Sequence, residues 1–326
     1  MTGRRKKVKV KKNKKVRGIV LAFAGGCAWG ISATCGQYIF AHSTIAPGAL
    51  ASVRLLCSGI VLLFLCFFRD RKRMSGVWRK KNDILRLILY ALGGLVFIQY
   101  SYLTAIRYTD SGTATVLQYT GIILIMFLSC LKERRRPVGR EILAVIFALA
   151  GIFLLATGGN PFRMSLSAAG LFWGLLAAVA LAAYTLIPGN LIRRWGNLVV
   201  NGFGMTFGGI FLFVLFAVWK EERTYDGTVW LAIFGIVFVG TLLATCLYSQ
   251  GVIETGPVRA SLAACVEPLV ATISSALWMK TVFGAVEVVG FVVIMSGVLL
   301  VSMPGTSENK RIKQRAESNN KNMDSI

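Results

Sequence analysis

Stretches of about twenty apolar residues recur ten times along the chain, each closed by a short polar or basic segment. They fall at 18–38, 46–68, 84–105, 112–131, 141–158, 168–188, 197–219, 228–250, 257–278 and 284–303. A helix of about 20 residues crosses a hydrocarbon core, so the pattern predicts an all-α integral membrane protein with ten transmembrane helices. The first apolar run is too long for a signal-peptide h-region and is followed by no small-residue cleavage site, so it reads as an uncleaved span. The flanking segments 1–17 and 304–326 are polar, with Lys, Asn and Ser, and predict unstructured tails. Composition agrees: 55% of the 326 residues are hydrophobic and 16% are charged, against about 25% charged in soluble proteins.

Charge orients the spans. The net charge is +23, yet ten of the basic residues lie in positions 4–17 and most others in short connecting loops. With the N-terminus cytoplasmic, 29 Lys and Arg fall in inside segments and 5 in outside loops. That asymmetry predicts a cell-membrane protein with both termini in the cytoplasm. The same basic segments suit anionic lipids at the cytoplasmic face; no nucleic acid is implied.

The chain also reads as doubled. Ala105-Ile106 answers Val252-Ile253, and Thr120-Gly121 answers Glu267-Pro268 at an offset of 147. Two five-span halves follow, 18–158 and 168–303. Five is odd, so the halves are inverted relative to each other, an arrangement that places a binding site between them near the midplane. Glycines four apart (Gly26 and Gly30, Gly170 and Gly174, Gly204 and Gly208) predict close helix packing.

Charged and polar residues within the spans are few. Glu267 sits near the middle of the ninth span, beside Pro268. An intramembrane acid costs about 2.5–3.5 kcal/mol on insertion scales and faces a partner or a watery cavity. The proline removes a backbone donor and bends the helix at the same level. The pair predicts a coupling or gating element; a structural kink with a protonated acid fits the same residues. Arg54, eight residues into the second span, fits an anionic anchor, an ion pair or snorkelling to the headgroups. Trp29, Ser32, Gln99, Tyr102, Gln118, Tyr184 and Tyr248 are candidates, with Glu267, for a polar and aromatic substrate-binding lining. Tyr100, Tyr119 and Gln250 belong to the same polar inventory; for Tyr102, Tyr248 and Gln250 an interfacial position fits equally. Glu141 and Glu287 open spans five and ten and suit helix N-termini.

The seven cysteines lie in apolar windows without a Cys-x-x-Cys pair, and His42 is the sole histidine. Neither a metal site nor any other cofactor is expected. No hydrolase, phosphate-loop or metalloprotease motif occurs, so no enzyme is expected.

Several short motifs, in order, resemble the EamA family of the drug/metabolite transporter superfamily. They are Trp29-Gly30, Arg54-Leu55, Ala105-Ile106-Arg107-Tyr108-Thr109 and Glu254-Thr255-Gly256-Pro257-Val258-Arg259-Ala260, the last leading into Glu267-Pro268. The resemblance covers about 18–303. It implies a secondary carrier with a cavity lined by helices one, three, four, six, eight and nine, exporting a small solute such as an amino acid, metabolite or drug, with a proton considered for coupling. Two departures stand out. Gly121 replaces the family's usual proline, which predicts that the first half lacks its kink, and Lys280 stands where Glu133 of the first half predicts an acid. The alternatives are a membrane receptor or scaffold that recruits partners through its basic tails, and a lipid-modifying enzyme.

Overall fold

The computed structural model describes residues 2–132, 134, 136–160, 165–220, 225–255 and 257–302. Among the described residues every regular element is helical. Eight helices are long and apolar enough to cross a membrane: Lys14–His42, Pro47–Arg69, Lys81–Tyr108, Ser111–Leu128, Gly139–Thr157, Ala168–Trp195, Asn197–Leu215 and Gly227–Thr255. The two other predicted spans are shorter. One is divided into α13 (Pro257–Ala264) and α14 (Glu267–Trp278), and the last is α15 (Ala285–Ser302), whose apolar stretch is Ala285–Leu300.

At the start of the chain, α1 (Thr2–His42) takes in most of the basic tail predicted to be unstructured. Lys and Arg have good helix propensity, so a helix anchored by a span extends readily into them. The tail from 303 onward, together with Glu133, lies outside the described residues.

Two pairs of helices distant in sequence pack along one another. Helix α2 (Pro47–Val77) packs along α10 (Asn197–Leu215), and α7 (Gly139–Thr157) along α15. The α2–α10 seam is close because a Cβ on Gly209 would lie 2.6 Å from the Leu56 backbone nitrogen. Each opening helix is embedded among elements distant in sequence. α1 lies against α12 (Ala244–Thr255), α13 and α14, while α8 (Ala168–Leu186) lies against α4 (Phe97–Tyr108), α5 (Ser111–Tyr119) and α6 (Gly121–Lys132).

Four interruptions shape the interior. Two are wide π-type turns, Ala91–Val96 between α3 (Lys81–Tyr90) and α4, and Gly235–Leu243 between α11 (Gly227–Phe234) and α12. Helix α10 packs on the first of these turns and α2 on the second. Two are helix breaks. The chain between α13 and α14 is broken at Cys265 and Val266, and the chain between α5 and α6 at Thr120. The second break corrects the expectation that Gly121 removes the kink. There the Thr120 N–H and hydroxyl both turn back to the Leu117 carbonyl, at 3.1 and 2.7 Å. Gly121 then lets the chain pass against the Ala178 carbonyl of α8, where a Cβ has no room.

The break before α14 is packed against α1. A Cβ on Gly26 or Gly30 would lie 2.8 Å from the carbonyl oxygens of Ala264 and Glu267, respectively. Gly30→Val is therefore expected to destabilise the protein by about 1–3 kcal/mol, the usual range for overpacking. Thermal unfolding of the detergent-solubilised variant, read beside its yield in the membrane fraction, measures this. An unchanged midpoint would show that the two helices part without cost.

Candidate functional site

The wide turns, and residues flanking the two breaks, line a half-open cavity of about 350 Å³. That is at the small end of the range for small-molecule pockets. Trp29 reaches it from α1, Arg54 from α2, Gln99 and Tyr102 from α4, and Gln118 and Tyr119 from α5. Tyr184 and Thr185 come from α8, Thr245 and Tyr248 from α12, Ser261 from α13, and Glu267 from α14. Leu95, Ile98, Ile122, Ile125, Leu181 and Met205 fill the wall between them.

Glu267 is 9% exposed and occupies the first turn of α14. The break at Cys265–Val266 opens the chain just before it, so its carboxylate stands at a helix N-terminus, where free N–H groups favour negative charge. The Tyr119 hydroxyl donates to Glu267 Oε2 at 2.9 Å and lies 3.2 Å from the Ala264 carbonyl. Pro268 lies in the same first turn, where its missing N–H leaves no bond unmade. It helps begin a new helix rather than bending a continuous one.

Arg54 is 6% exposed, so it does not snorkel. Its Nε donates to Thr241 Oγ1 at 2.7 Å and one Nη to the Gly240 carbonyl at 3.2 Å. Both acceptors belong to the wide turn Gly235–Leu243, and Thr241 Oγ1 in turn donates to the Ile236 carbonyl at 2.9 Å. Among the described residues Arg54 forms no ion pair, unlike Arg17 with Glu254 and Arg194 with Asp83.

The aromatic wall has fixed geometry. The Trp29 and Tyr248 rings lie 5.2 Å apart, Tyr184 stacks on Tyr90 at 5.9 Å, and the Tyr102 hydroxyl lies 2.6 Å from Thr115 Oγ1. Tyr90 donates to Asn201 Oδ1 at 2.7 Å.

Among the sequence candidates, Trp29, Arg54, Gln99, Tyr102, Gln118, Tyr184, Tyr248 and Glu267 are brought together on this wall. Ser32 and Pro268 are not. Gly240 comes so close to Ser32 that no Cβ fits between them, leaving the Ser32 hydroxyl buried without a hydrogen-bond partner. Gln250 lies away from the cavity and donates to Glu254 Oε1 at 2.7 Å. Tyr100 packs instead between Trp173 and Phe216. Glu141 and Glu287 accept the Val138 and Gly284 N–H groups at 2.8 and 2.7 Å, each closing a helix N-terminus.

Tyr119, part of the polar inventory read from the sequence, also joins the wall, and Thr185, Thr241, Thr245 and Ser261 join it without a sequence signal of their own. Thr241 gave none, because its role depends on the wide turn.

Beyond the cavity, a polar knot closes the end where α1 and α14 finish. Gln37 donates to Thr281 Oγ1 at 3.0 Å, and its carbonyl oxygen accepts from the Ser111 N–H at 3.0 Å and from the Ser275 hydroxyl at 2.7 Å. Thr34 Oγ1 adds contacts to the Ser111 and Ser274 hydroxyls at 3.2 and 2.6 Å. At the opposite end, Arg17 pairs with Glu254 at 3.0 Å, and Asp83 accepts from Arg194 at 3.1 Å and from Trp195 Nε1 at 3.0 Å.

The sequence profile of the EamA-like transporter family matches residues 16–157 and again 168–303. The chain belongs to that family. This EamA-like chain is 34% identical over 287 residues to the inner membrane transporter YicL of Salmonella typhimurium, covering 88% of this chain and 95% of YicL. It is 26% identical over 311 residues to protein PecM of Dickeya dadantii, covering 91% of this chain and 96% of that one. A similar match, 24% over 258 residues, links it to the transporter YetK of Bacillus subtilis, covering 77% of this chain and 76% of YetK. A crystal structure superposes with a TM-score of 0.58 at 17% identity, covering 87% of this EamA-like chain and 96% of its own, which speaks to fold alone. This is a multi-pass membrane transporter of the EamA type.

Proposed function

We propose that this transporter is a secondary carrier that moves a small organic solute out of the cell by alternating access between two inverted five-helix halves. The observation that carries the reading is the cavity itself, with Arg54 from one half and Glu267 from the other on a single wall. A ten-span count includes the broken α13–α14 segment and α15 as spans nine and ten. The inverted relation is supported by the pairing of α2 with α10 and α7 with α15, second with seventh and fifth with tenth. It is supported again by the wide turns, since 91–96 moved by the repeat offset falls inside 235–243, and by the breaks at Thr120 and at Cys265–Val266.

With both termini cytoplasmic, the Gln37 knot is the outer closure. Gln37 lies eight residues beyond Trp29 on α1, about 12 Å along the axis at 1.5 Å per residue. Its links to α5 and α14 are uncharged hydrogen bonds of about 1 kcal/mol each, so the closure can open and reform during a transport cycle. Glu267 is assigned a proton, exchanged as the solute binds and leaves.

Counterflow in proteoliposomes tests the carrier reading: preloaded unlabelled solute should drive uptake of a labelled counterpart. Binding without counterflow would point instead to a receptor. Orientation has its own test in a variant freed of native cysteines. A cysteine at Ser75 is expected to be protected from impermeant maleimide in intact cells, and one at Tyr225 to react. The opposite labelling would reverse both termini.

A further inference from the structure

We propose that the Arg54 side of the cavity is a monoanion site, for the carboxylate of a solute whose flat apolar body lies against Trp29 and Tyr248. The inference rests on the carrier reading above and narrows its substrate class.

A guanidinium carries five N–H donors. Arg54 spends one on Thr241 Oγ1 and one on the Gly240 carbonyl, leaving three without a hydrogen bond. None of its nitrogens is sealed off from the cavity as a buried, unpartnered atom. The charge also has no contact ion pair among the described residues: Glu267 lines the same cavity but is engaged by Tyr119. A buried cation held by neutral acceptors is costly, and an arriving anion relieves that cost.

Geometry selects the kind of anion. The two bonds to the wide turn fix the plane of the guanidinium, and the free edge of a fixed fork suits two carboxylate oxygens. Among the described residues no Lys and no second Arg lines the cavity, and its one carboxylate, Glu267, is taken up by Tyr119, so one ligand carboxylate is matched by Arg54 and a second is not. Tyr248 and Trp29 form a tilted pair 5.2 Å apart, a surface for a planar apolar group. A ligand ammonium group would share this small space with the guanidinium.

The test uses the purified full-length protein in detergent and four probes of similar size: benzoate, benzamide, benzylamine and phenylalanine. Benzoate is expected to raise the unfolding midpoint and to bind about tenfold or more tightly than the neutral and cationic probes. Arg54→Gln is expected to erase that preference. Equal binding of benzamide, tighter binding of benzylamine or phenylalanine, or no effect of benzoate at all would overturn the proposal. So would stabilisation by phosphatidylglycerol with none by soluble carboxylates, which would assign the charge to lipid. If Arg54→Gln does not fold, the wild-type probe series decides alone. Benzoate binding without counterflow would sink the carrier reading and leave the anion site standing. Counterflow with no preference for the anion would do the reverse.

Discussion

Glu267→Gln is expected to abolish solute accumulation driven by a pH gradient while leaving a folded protein in the membrane. The amide keeps an oxygen in place of Oε2, so the Tyr119 hydroxyl retains its acceptor at the break before α14. What is lost is the ability to gain and release a proton. For a carrier exchanging one proton per solute, each pH unit supplies about 1.4 kcal/mol, or about tenfold accumulation. The sign follows from antiport: protons enter from the acidic side and solute collects there. In the variant the accumulation ratio should fall to about one at every gradient, with solute–solute exchange retained, since exchange needs no net proton movement. Uptake in proteoliposomes across imposed pH gradients, beside a thermal unfolding curve, gives the answer. Normal gradient-driven accumulation in the variant would leave Glu267 a structural residue that marks the start of α14.

Arg54→Lys should slow transport about 10- to 100-fold, the effect of losing one or two hydrogen bonds from a charged donor. The substitution keeps the charge, so a small effect would be expected if charge were all that mattered. Here the guanidinium meets two acceptors in different directions, Thr241 Oγ1 through Nε and the Gly240 carbonyl through Nη. It still presents an edge to the cavity. A lysine ammonium is a single point with three donors on a flexible stem and cannot hold the turn and keep a flat face outward. Initial rates of counterflow measure the loss, and the unfolding midpoint separates it from instability. Transport equal to wild type would remove Arg54 from the site.

The sequence made the spans readable because a bilayer imposes a length and an apolarity that few other environments require. It was much less informative about where helices stop being regular. Nothing in Tyr119-Thr120-Gly121 reads as a break, since it lies within a continuous apolar window, and beside Cys265-Val266 the proline at 268 reads as a bend rather than a break. Tertiary neighbours pack against both: the Ala178 carbonyl of α8 against Gly121, and α1 glycines against Ala264 and Glu267. The polar residues of the cavity were visible because large polar side chains in mid-span are scarce. Ser32 shows the limit of that reasoning. It lies one helical turn from Trp29, and Gly240 covers it, a contact between residues more than two hundred positions apart. Thr241 was passed over for the opposite reason: a small hydroxyl is unremarked until a wide turn places it beside a buried cation.

The two wide turns also set the phase of the helices that follow them. A π-type turn holds one residue more than the α-turn it replaces. If Gly235–Leu243 closed into regular α geometry with all its residues kept, everything after it would rotate by about 100° and shift by about 1.5 Å relative to what precedes it. Thr245 and Tyr248 would swing off the cavity wall, and the Gly240 carbonyl would lose the irregular turn that now presents it to Arg54. The same closure of Ala91–Val96 would turn Gln99 and Tyr102 away. In these two helices a residue with no side-chain role still sets the phase of all that follow it.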